Sequence, residues 1–165
     1  MKKASIKRTS TVFLQAVIVL IGIATVAFLL WEPNAEGVNA HATSLFEVYF
    51  DDPFLAYVYL SSIAFFVALY KAFRLLGTIG KNTVFSRDSV RALRMIQYCA
   101  IAIVGLTALP EAYLLIARPE DDIAGGVAMG LFVMCISAVI AAAAAVFEKL
   151  LHSAVEMKEE QDVTV

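Results

Sequence analysis

Four apolar runs divide the chain: residues 12–31, 54–70, 95–117 and 123–147. The first and last contain no charged residue. Lys71 closes the second, which extends to Leu76 if that lysine snorkels, and only Pro110 and Glu111 interrupt the third. A hydrocarbon core about 30 Å thick needs roughly 20 residues of helix at 1.5 Å each. All four runs reach that length without the polar face of a soluble core helix or the two-residue alternation of a barrel strand. The pattern predicts an all-α, membrane-spanning four-helix bundle with spans at 12–31, 54–76, 95–117 and 123–147. A basic segment over 1–11 precedes it and a tail over 148–165 follows.

Composition agrees. Hydrophobic residues make up 61% of the 165 and charged residues 17%, against about 45–50% and about 25% in soluble domains. The basic start, Lys2, Lys3, Lys7 and Arg8, ahead of an apolar run resembles a secretory signal. The run is longer than a signal's apolar core of about 7–15 residues, so an uncleaved first span is expected.

Charge placement gives an orientation. Twelve of the thirteen lysines and arginines precede the first run, lie between the second and third, or follow the fourth; Arg118 is the exception. The positive-inside rule then puts both termini and the middle loop in the cytoplasm. Glu32, Glu36, Glu47, Asp51, Asp52, Glu120, Asp121 and Asp122 gather on the other side, with Trp31, Tyr49 and Tyr113 near that boundary.

The connections carry local signals. Ser44 with Glu47 fits a capping box, predicting a short turn over 44–50. Gly77 and Gly80 end the second span, and Ser86 is placed to cap the helix that leads into the third. The short stretch 118–122, with a proline and three acids, predicts a tight antiparallel hairpin between the third and fourth spans.

The element Phe85, Ser86, Val90, Leu93, Arg94 leading into a span, and the ending Glu159, Glu160, Asp162, Val163, Thr164, Val165, resemble a bacterial membrane family, domain of unknown function 2975. The resemblance covers roughly residues 50–165. Ser153 and Ala154 stand where the family usually has a glycine, and Val163 and Val165 where leucine and isoleucine are common. The resemblance implies four spans and a bacterial setting, hence a multi-pass protein of the inner (plasma) membrane, but no known activity. Because such genes often neighbour small helix-turn-helix regulators, it also implies a regulatory protein as a cytoplasmic partner.

Candidate functional residues are few. Glu111 lies six residues before Ala117, about 9 Å from that helix end, and ionisable groups at membrane depth are costly and often functional. Pro110 frees a carbonyl one turn earlier. The bland alternative is that Glu111 snorkels or bonds within the bundle. Gln15 and Gln97, near the basic end of spans one and three, are placed to hydrogen-bond across the bundle. Gly126, Gly130, Ser137, Ala141 and Ala145 form a small-residue stripe expected to pack within the chain; a homo-oligomer is possible but not favoured. Arg87, Arg91 and Arg94 share one helix face and are candidates for lipid headgroups or an acidic partner, beside their role in topology. The tail is expected as helix through Met157, then a β-prone strip over 162–165 that would add to a partner's sheet.

Cys99 and Cys135 sit at different depths, about 9 Å apart in height, and are expected as buried free thiols rather than a disulfide. His41 without paired ligands gives no metal site. No catalytic constellation and no cofactor motif is present, and nothing points to direct nucleic-acid binding. The expectation is a non-enzymatic protein with a sensing or regulatory role through a cytoplasmic partner; the alternative is a small transporter or channel using Glu111.

Overall fold

A computed structural model describes residues 2–31, 44, 53–81, 83–117 and 124–163. These form four helices: α1 (Lys2–Trp31), α2 (Pro53–Gly80), α3 (Arg87–Ala117) and α4 (Ala124–Val163). Each predicted span falls within one helix, save that Ile123, the first residue of the fourth, lies outside the described residues. All four helices contain a stretch long and apolar enough to cross a membrane. Their apolar side chains point outward, among them Phe13, Leu20, Ile23, Ile116, Phe132 and Val139. Water would not tolerate that much exposed apolar surface on a monomer, whereas lipid tails match it.

The helices pack in chain order, α1 on α2, α2 on α3 and α3 on α4, with the last pair sharing the longest interface. Among the described residues α1 packs on neither α3 nor α4, so the bundle is open between its first and last helices. The α1–α2 seam is close at Gly22, where a Cβ would lie 3.2 Å from Leu69 Cδ2. A hydrogen bond ties each end of that seam: Gln15 Nε2 donates to the Phe73 carbonyl at 3.2 Å, and Tyr59 Oη donates to the Leu29 carbonyl at 3.3 Å. The expected Gln15–Gln97 bond therefore does not form. Gln15 is spent on α2, because α1 docks there and not on α3.

The turn between α2 and α3 is built on hydroxyls. Thr83 N and Lys81 N both donate to the Thr78 carbonyl, at 3.0 and 3.2 Å. Ser86 caps α3 as expected: its Oγ accepts from Ser89 N at 3.3 Å, satisfying one of the orphan donors of the first turn. Ser89 is only 1% exposed, and its hydroxyl meets those of Ser86 and Thr78 at 3.1 and 3.4 Å. A buried hydroxyl without such partners would be destabilising.

α3 and α4 run antiparallel, as the hairpin reading predicts. The stripe on α4 faces α3, with Ser137 and Ala141 buried, and Ala144 rather than Ala145 fully covered. Cys99 is buried, but Cys135 is exposed. It lies two residues from Ser137, about 200° around the helix, so it faces away from the seam. α4 continues through Val163, which corrects the β-prone strip at Asp162 and Val163; Thr164 and Val165 lie outside the described residues. So do Tyr49, His41 and the 118–122 turn, and of the 44–50 turn only Ser44, a bend, is described.

Candidate functional site

Two features stand at opposite ends of the α3–α4 hairpin. The first is a cavity of about 320 Å³ at the end remote from Arg87. All four helices contribute: Phe28 and Leu29 from α1, Tyr57 and Tyr59 from α2, Leu106 to Glu111 from α3, and Gly126 to Val133 from α4. Pro110 lies inside α3 without ending it. Its ring leaves the Leu106 carbonyl, four residues back, without its helical donor, and Leu106 also lines the cavity.

Glu111 lines this cavity and is 5% exposed. It does not snorkel. Its side chain lies over Gly130, where an added Cβ would overlap Oε1 and sit 2.5 Å from Cδ. Only glycine leaves room for the carboxylate there. Oε2 is buried with no hydrogen-bond partner among the described residues. Two hydroxyls of the lining are committed elsewhere: Ser61 Oγ donates to the Tyr57 carbonyl at 2.7 Å and Tyr59 Oη to Leu29. Buried polar groups are nearly always satisfied, so one that is not calls for an explanation.

The second feature is a ladder of ion pairs at the basic end. Arg87 donates to both oxygens of Glu159, Nε to Oε1 at 2.9 Å and Nη2 to Oε2 at 2.6 Å. Arg94 donates from Nε and Nη2 to Glu148 Oε1 at 3.1 and 2.6 Å. The Glu148 side chain is only 13% exposed, making this the more sheltered pair. Arg91, between them, has Asp88 of its own helix at 3.8 Å and remains 77% exposed. His152 Nδ1 stands 3.3 Å from Glu156 beside the same groove. Arg87 holds the Glu159 carboxyl below the usual carboxylate range, chiefly through the hydrogen bonds, and Glu159 raises the Arg87 guanidinium in turn. α4 is 40 residues long, about 60 Å, twice a bilayer core. Glu159 lies twelve residues past Phe147, beyond the apolar run.

Of the residues singled out by sequence, Glu111 thus meets a cavity, Arg87 and Arg94 meet α4, and Gln15 and Gln97 do not meet. Glu148 and Glu159 were not foreseen as partners. The signal was present: folded about the 118–122 turn, the chain sets Glu111 opposite Gly130, Arg94 opposite Glu148 and Arg87 near Glu159.

The family model described as "Protein of unknown function (DUF2975)" matches residues 3–165. The chain belongs to that family. The match extends the resemblance, seen from about residue 50 onward, to the first helix. The chain is also 41% identical over 162 residues to the "Uncharacterized membrane protein YoaS" of Bacillus subtilis (strain 168), covering 96% of this chain and 99% of that protein. No solved structure matches. As a DUF2975 member the chain is a membrane protein with four transmembrane helices.

Proposed function

We propose that this protein is a non-enzymatic sensor of the bacterial plasma membrane, with both termini cytoplasmic, that reports the state of its Glu111 cavity to a cytoplasmic regulatory protein. One observation carries the reading: the two helices that pack at Glu111 and Gly130 also form the ion-paired stalk at Arg94–Glu148 and Arg87–Glu159. Glu111 and Arg94 are seventeen residues apart on one continuous helix, about 26 Å. A shift in how α3 seats on α4 at one end is therefore felt at the other, as in helix-shift switches. Twelve basic residues on the stalk side support the orientation. Arg91, 77% exposed beside Asp88 of its own helix, offers a positive charge to an acidic surface of the partner or to anionic lipid.

The test is recovery of soluble proteins with the full chain from cells in mild detergent, compared with a chain lacking residues 157–165. Loss of one defined protein on truncation supports the reading; an unchanged set of recovered proteins contradicts it.

The second reading is a transporter using Glu111. The buried, unpartnered carboxylate beside Pro110 favours it, since such groups mark substrate and ion pathways. Flux into proteoliposomes that disappears in Glu111→Gln would select this reading over the first.

A further inference from the structure

The Glu111 cavity has chemistry that narrows its ligand. We propose that it binds a small organic ammonium ion, whose N–H donates to the Glu111 carboxylate while its apolar body fills the space among the four helices. This names a ligand class for the proposed sensor, but it stands on the cavity itself and does not require a signalling partner.

Three observations lead there. First, Glu111 lines the cavity with its side chain only 5% exposed and Oε2 without a hydrogen-bond partner among the described residues, and the hydroxyls of Ser61 and Tyr59 are spent on backbone carbonyls. A buried carboxylate left uncompensated is strongly unfavourable, and a charge-assisted hydrogen bond from a cation is the strong way to compensate it. Among the described residues no lysine or arginine lines the cavity, so a cation bound there would be a ligand and not one of those side chains.

Second, the rest of the lining is largely hydrocarbon and aromatic, including Phe28, Leu106, Met129 and Val133. A hard inorganic cation such as sodium needs several oxygen ligands. The lining offers the Glu111 carboxylate, the Thr107 and Tyr57 hydroxyls and the Leu106 carbonyl, fewer than the roughly six oxygens such an ion takes. An ammonium with an apolar body fits both parts of the wall, and aromatic residues such as Phe28 and Tyr57 in the lining suit its charge.

Third, the size is right. A dry cavity of about 150 Å³ accepts benzene. At 320 Å³ this one accommodates roughly a dozen non-hydrogen atoms by the same scale. Gly126 lines it, and a Cβ there would meet nothing within 4 Å.

The test uses the purified full chain in nanodiscs of zwitterionic lipid, titrated calorimetrically with phenethylammonium and with neutral 2-phenylethanol, empty nanodiscs being the reference. Saturable binding of phenethylammonium is expected. The alcohol and the Glu111→Gln variant should each weaken it about tenfold or more, the loss of one charge-assisted hydrogen bond. Gly126→Leu, which fills the cavity without a clash at Cβ, should abolish it while size exclusion and circular dichroism stay unchanged. Should Glu111→Gln fail to fold, Gly126→Leu and the alcohol decide. Equal binding of the alcohol, equal binding by Glu111→Gln, unaltered binding by Gly126→Leu, or heat no different from empty nanodiscs would each overturn the proposal. None of these readouts involves a cytoplasmic protein, so the outcome is separate from partner recovery.

Discussion

The carboxylate of Glu111 on α3 rests on the bare α-carbon of Gly130 on α4. A methyl group at position 130 and the present placement of Glu111 are mutually exclusive. Gly130→Ala should therefore destabilise the hairpin by about 1–3 kcal/mol, the usual cost of overpacking. In a Glu111→Ala background the clash is gone, and the same change should stabilise α4 by up to about 1 kcal/mol from helix propensity. A double-mutant cycle read by denaturant titration in mixed micelles checks this change of sign.

The α2–α3 turn depends on Ser86. Ser86→Ala removes the cap of α3 and one of the hydroxyl neighbours of buried Ser89. The expected loss is about 1 kcal/mol or somewhat more, measured in the same denaturation assay. Thr83→Ala is a fitting control, since its exposed 3.4 Å contact contributes little.

The stalk should respond to acid at its far end. Glu159's carboxyl titrates below its ordinary range because Arg87 holds it ionised. The stability that this pair contributes is fully present above the ordinary carboxylate range and is lost as pH falls through the lowered value. Hydrogen exchange over residues 155–163 should rise on acidification into that window. In Arg87→Ala it should already be high at neutral pH and change less.

The two arginine pairs should differ. Glu148 is sheltered and Glu159 half exposed, so Arg94→Ala should loosen the hairpin more than Arg87→Ala. Raising salt from 0.05 to about 0.5 M should weaken the Arg87 pair more, because an exposed pair is screened and a covered one much less. Disulfide trapping between cysteines introduced on α3 and α4 at each level reads both effects.

The sequence made the spans legible because lipid imposes a simple rule: residues 12–31 and 123–147 are apolar on every side, and no soluble packing explains that. It made the α3 cap legible because Ser86 precedes a helical run. Glu111 stood out for the same reason, as a charge inside an apolar run. Other features depend on which helices meet, and single-helix patterns do not carry that. Gln15 could be placed near the basic end but not assigned to Phe73 rather than Gln97, because the choice follows from α1 docking on α2 alone. Gly130 was legible as a small residue but not as the seat of Glu111. Asp162 and Val163 have β-prone neighbours, yet the stalk pairing at Glu159 carries the helix past them.

The central claim is that the Glu111 cavity and the stalk are one coupled element. Hydrogen exchange over residues 148–163 tests it most directly, measured on the chain in nanodiscs with and without saturating phenethylammonium. The account predicts a change in stalk exchange on binding in the wild-type chain and none in Glu111→Gln. A cavity shown to be saturated by calorimetry, with stalk exchange identical to the free protein, would contradict it.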